Sequence, residues 1–91
     1  MILTAELSLY PLRNDYLAIV QALIDDLNER PDLTVVTNAM STQVQGEHDV
    51  VMTAVSDVLR ESAERAQAQV LVCKFIPMEL EITRERHELP G

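Results

Sequence analysis

The apolar pattern predicts an α+β fold of β-α-β-β-α-β order, and three observations carry that reading. Residues 2–10 alternate with a period of two; residues 14–27 and 47–66 repeat with the helical period; two short strand-like stretches, 33–40 and 41–46, stand back to back between them, with a fourth at 69–75. Right-handed crossovers turn this order into a four-stranded antiparallel sheet with both helices on one face, a ferredoxin-like sandwich whose central strands are the first and third. At 91 residues the chain is expected to be one domain, 1–91, with a core of 2–75 and a tail of 76–91. A chain of that length buries roughly 60–65% of its unfolded surface.

Each element has its own justification. In the first strand Leu3, Ala5, Leu7 and Leu9 fall on one side and Ile2, Thr4, Glu6, Ser8 and Tyr10 on the other, until Pro11 stops the run. From Asn14, an expected N-cap, Leu17, Val20, Leu23, Ile24 and Leu27 share one helix face, and Pro31 disfavours helical geometry at Arg30. "LTVVTNAM" is β-branched and makes the second strand; "STQVQG" makes the third, with Gly46 expected to turn the chain. Glu47 and Asp49 then suit a helix N-terminus, Val51, Ala54, Val55, Val58, Leu59 and Ser62 share a face, and Arg60 and Arg65 lie late in that helix, where cations suit its dipole. "QVLVCKF" is the fourth strand, and Met78, Leu80 and Ile82 alternate as a short edge strand would.

Composition narrows the function. No apolar run reaches the ~20 residues of a membrane span, and the opening "MILTAELSLYP" alternates rather than forming a secretory signal. Cys73 is the single cysteine and sits in an apolar strand, so the expected thiol is inert and the expected compartment a reducing cytoplasm. Fifteen acidic against seven basic residues give a net charge of −8, which offers nucleic acid no basic surface and favours a cationic small molecule or basic partner. His48, His87 and Cys73 do not make a zinc spacing, the serines lack a nucleophile-elbow setting, and two glycines make no phosphate loop. No metal, cofactor or catalytic residue is therefore expected.

The helix-free sheet face must be solvated, covered by another subunit or used for a ligand. Thr4, Glu6, Ser8 and Tyr10 of the first strand lie on it, as do Asn38 and Met40 of the second and Ser41, Gln43 and Gln45 of the third. Glu6, mid-strand, is explained either by solvation or by a cleft in which it joins Asn38, Ser41, Thr42 and Gln43 around a polar heterocycle or amine. Glu47 is explained either by the helix dipole or by a place at the ligand's rim.

"AELSLYPL" at 5–12 together with "NAMSTQVQGEHDVVM" at 38–52 resembles the YkoF-like family and the related small-domain family of thiamine-binding proteins. The resemblance implies a ferredoxin-like domain, used in pairs or symmetric oligomers, that binds thiamine or its hydroxymethylpyrimidine moiety without catalysis. It carries over to Ser8, Tyr10, Asn38, Met40, Ser41, Thr42 and Glu47, which stand in the matching motifs. The expected partner is then thiamine or hydroxymethylpyrimidine, in salvage or transport support, with the chain in a homo-oligomer, a dimer or tetramer, and with neither nucleic acid nor membrane. The alternative is a structural or regulatory oligomeric interaction domain with no small ligand. A small enzyme of the α+β barrel-forming kind is the third reading, and no acid–base pair supports it.

Overall fold

The computed structural model describes residues 1–83. Its elements are β1 (Ile2–Pro11), α1 (Tyr16–Asn28), β2 (Thr34–Thr37), β3 (Thr42–Glu47), α2 (His48–Arg65) and β4 (Gln69–Ile76), the expected order. The sheet is antiparallel throughout, in the order β2-β3-β1-β4, so β1 and β3 are central. The two helices pack on each other and on one face of this sheet, which is the ferredoxin-like arrangement.

Alternation in β1 decides what is buried. Leu3, Ala5, Leu7 and Leu9 point to the helices and meet Val44 of β3, Ile19, Leu23 and Leu27 of α1, and Val51, Ala54 and Val58 of α2. Each large side chain so buried contributes about 1.5–3 kcal/mol of transfer free energy. Arg30, just beyond α1, ties the helices together through Asp26 at 3.0 Å and Asp57 at 3.1 Å. Burial pulls its guanidinium down, but hydrogen bonds to both carboxylates outweigh that and hold its pKa above the ordinary value.

Several expectations are corrected. Helix α1 begins at Tyr16 with Asp15, not Asn14, at the N-cap, and the Asp15 side chain makes no cap bond. Arg13 takes both oxygens of that carboxylate instead, Nε to Oδ1 at 2.9 Å and Nη2 to Oδ2 at 3.2 Å. The buried stripe of α1 runs through Ile19, Leu23 and Leu27, and Leu17 is 70% exposed. Leu59 of α2 is also exposed. β2 ends at Thr37 rather than residue 40, because Asn38 closes a corner: its N–H donates to the Ser41 carbonyl, and its Oδ1 accepts from the N–H groups of Met40 and Ser41. Gly46 does not turn the chain. It lies within β3 opposite Leu3, where a Cβ would sit 2.9 Å from the Asp32 carbonyl oxygen.

The segment after β4 is not an edge strand. It folds back across the open sheet face, where the Thr4 hydroxyl donates to the Met78 carbonyl at 2.9 Å and the Leu80 N–H donates to Gln45 Oε1 at 2.7 Å. That cover explains why Thr4, on the nominally open face, is only 3% exposed. His87 lies outside the described residues.

Candidate functional site

β1 is longer than its partner β3, and the mismatch opens the site. Leu7 pairs with Thr42 where the β1–β3 ladder ends, whereas Ser8 to Pro11 pair with β4 alone. The space β3 would have filled is bounded by the Asn38–Ser41 corner on one side and the first half of α1 on the other. It is a cavity of about 490 Å³. Leu9, Val20, Leu23 and Ile24 give it an apolar lining, and Tyr10, Tyr16, Ser8 and Ser41 line it as well.

Six of the residues singled out from sequence, Ser8, Tyr10, Asn38, Met40, Ser41 and Thr42, line this one cavity. Their roles differ. Thr42 points to the helix side, is buried, and shares a hydrogen bond with the Thr37 hydroxyl at 3.1 Å, so it does not join Ser41 and Gln43 on the open face. The side-chain oxygen of Asn38 is occupied with shaping the corner. Met40 is 84% exposed at the corner's tip, beyond the end of β2.

Glu6 and Gln43 face each other across the β1–β3 ladder and reach the cavity through Ser41. The Ser41 hydroxyl donates to Glu6 Oε2 at 2.9 Å and accepts from Gln43 Nε2 at 2.7 Å. Lys74, directly opposite Glu6 on β4, places its ammonium 3.4 Å from Glu6 Oε1. Glu6 thus carries a cation of the protein's own, a partner that reading β1 and the corner alone does not reveal. Alternation in β4 places Lys74 on the open face, and the β1–β4 register brings it opposite Glu6.

Glu47 is not part of this group. It stands at the opposite end of β3, paired with the N-terminal ammonium at 3.2 Å, in a separate depression with His48 and Asp49. The walls contributed by α1, notably Tyr16, Leu17 and Val20, were not among the expected ligand residues. Tyr16 and Leu17 are exposed at the start of α1, whereas the helical spacing puts Leu17 on the buried face, so no signal in the sequence marks them as cavity walls. Cys73 faces the helix side opposite Leu7 and is half-buried, and burial pushes its thiol pKa up. Among the described residues no group of three His, Cys, Asp or Glu side chains could hold a metal ion, and no helix is long and apolar enough to cross a membrane.

Solved structures share the fold. A Streptococcus pneumoniae protein aligns with a TM-score of 0.82 and 22% identity over 91% of this chain and 94% of its own. A hypothetical protein of Methanocaldococcus jannascii aligns at 0.75 and 23% over 92% and 88%. A Thermotoga maritima protein provisionally assigned to thiamine biosynthesis or salvage aligns at 0.74 and 18% over 82% of each chain. No curated protein matches this chain. The model of the YkoF-related family matches residues 2–76, spanning every strand and helix described above, and the chain belongs to that family.

Proposed function

We propose that this protein is a non-enzymatic binding protein for thiamine or its hydroxymethylpyrimidine moiety, serving thiamine salvage or transport, and that its site is the cavity between α1 and the Asn38–Ser41 corner. The observation that carries the reading is the convergence of Ser8, Tyr10, Asn38, Met40, Ser41 and Thr42 on one cavity. Family membership and the provisional assignment of the T. maritima relative support the ligand class. The volume, about 490 Å³, falls within the roughly 300–1,000 Å³ of small-molecule sites, and an apolar lining with a few polar groups is how such sites are built. The net charge of −8 favours the thiazolium cation of thiamine. Glu6 acts at the rim through Ser41, and a cationic ligand there competes with Lys74.

The 91 residues act as one cytoplasmic domain, assembled as a dimer or tetramer. Val70, Val72 and Ile76 of β4 are exposed on the open face beside Tyr10, more apolar surface than a small monomer ordinarily shows. The same surface favours the second reading, an interaction domain without a small ligand. Isothermal titration with thiamine and with hydroxymethylpyrimidine, run beside light scattering, separates the two. Saturable heat supports the binding protein. An oligomer that takes up neither compound at millimolar concentration overturns it in favour of the interaction domain.

A further inference from the structure

We infer that the main chain of Leu9 is what reads the ligand in this cavity: its N–H and C=O form a slot for the edge of a planar ring that carries an acceptor and a donor side by side. The inference rests on the hydroxymethylpyrimidine reading above, that moiety being an aminopyrimidine, and assigns its recognition to a backbone edge rather than to a side chain.

The ladder fixes which way Leu9 faces. In an antiparallel pair, residues alternate between those that exchange both backbone hydrogen bonds with one neighbour and those directed to the other side. One step beyond the Pro11–Gln69 pair, the Leu12 N–H donates to the Ala68 carbonyl at 2.8 Å, so the even-numbered residues of β1 face β4. One step beyond Ile2–Glu47, the His48 N–H donates to the Met1 carbonyl at 2.9 Å, so the odd-numbered residues face β3. Leu3, Ala5 and Leu7 meet Gly46, Val44 and Thr42 there, but β3 starts at Thr42 and Leu9 is left facing the Asn38–Ser41 corner. No hydrogen bond joins the Leu9 main chain to the corner or to α1 among the described residues.

Leu9 is nonetheless only 9% exposed and lines the cavity. On a residue so little exposed, an N–H and C=O without protein partners are unusual, since native proteins nearly always satisfy the main-chain groups of such residues. Pro11, the next odd-numbered residue, has no N–H, so the donor–acceptor pair is confined to Leu9. Its two groups point out of one strand edge side by side. An aminopyrimidine offers the complement: a ring nitrogen that accepts from the Leu9 N–H and an exocyclic amine that donates to the Leu9 C=O. The ring then extends the sheet where β3 stops, with Tyr16 and Val20 of α1 on the cavity wall.

The test uses uniformly 15N-labelled protein and three probes: hydroxymethylpyrimidine, thiamine, and the hydroxymethylpyrimidine analogue with hydrogen in place of the amino group. The expected result is a downfield shift of the Leu9 amide proton, exchange of that amide slowed by about tenfold or more at saturation, and binding of the analogue weaker by about tenfold. Hydroxymethylpyrimidine saturating with the Leu9 amide unmoved, or the analogue binding equally well, overturns the inference and leaves the pyrimidine reading standing. Failure of all three probes to bind at millimolar concentration overturns both.

Discussion

Replacing Ser41 by alanine removes the one hydroxyl that belongs at once to the corner, the cavity and the Glu6 group. In the free protein Glu6 Oε2 loses a donor at 2.9 Å and Gln43 Nε2 an acceptor at 2.7 Å. Both side chains are partly exposed, so water replaces much of what is lost, and Lys74 still stands 3.4 Å from the carboxylate. The expected cost to folding is therefore about 0.5–1.5 kcal/mol, the net value of an ordinary hydrogen bond, and not the larger penalty of a stranded buried charge. For a domain of this size that corresponds to roughly 3–10 °C in Tm. Binding should suffer separately. Loss of one hydroxyl contact to a neutral ring is expected to weaken affinity about three- to tenfold, and more if Ser41 also orients Glu6 toward a cation. Urea unfolding measures the first effect and isothermal titration with hydroxymethylpyrimidine the second, with Glu64→Gln on the exposed side of α2 as the control. If Ser41→Ala loses stability as expected yet binds as tightly as the wild type, the corner is structural and the reasoning that puts ligand beside it is refuted.

The packing makes its own predictions. Leu23→Ala, at 4% exposure, should cost about 2–4 kcal/mol in urea unfolding and half-buried Val55→Ala about 1. Gln21→Ala, which loses only an exposed bond to Asp25, should cost under about 0.5, and equal losses at all three positions would reject the helix faces. Gly46→Ala places a methyl group against the Asp32 carbonyl oxygen at 2.9 Å and is expected to destabilise by about 1–3 kcal/mol, seen as a lower urea midpoint with unchanged slope; an unchanged midpoint would show that the Asp32 backbone yields freely. Burial disfavours the thiolate of Cys73, so iodoacetamide at mildly alkaline pH should alkylate the folded protein more slowly than the urea-unfolded chain, and equal rates would contradict the raised pKa.

The fold was legible because β1 alternates without interruption from Leu3 to Leu9 and because the helical spacing reaches Leu23 and Leu27 in α1 and Val51 to Ser62 in α2. Local competition hid the rest. Nothing in "RND" says that Arg13 will claim the Asp15 carboxylate, that α1 starts at Tyr16, or that Leu17 lies outward. Met78, Leu80 and Ile82 alternate as a strand does, yet a polar anchor at Thr4 and Gln45 holds the segment against the sheet face instead of its edge. At the site, the corner's residues were found because polar side chains in a strand context are conspicuous. The motif groups Glu47 with them, although along an extended strand it stands on the order of 20 Å from Ser41. The Lys74–Glu6 pair and the free edge at Leu9 depend on strand register and on where β3 begins, and these are set by pairing across the sheet.

Leu17→Trp puts the central claim to the most direct measurement. Leu17 lines the mouth of the cavity from α1 and is 70% exposed, so an indole there obstructs the space while changing stability by less than about 0.5 kcal/mol. Isothermal titration of wild type and variant with hydroxymethylpyrimidine should give an affinity at least about tenfold lower in the variant, with the urea midpoint unmoved. Undiminished affinity in a variant that folds normally would place the ligand outside the cavity between α1 and the Asn38–Ser41 corner and contradict the account.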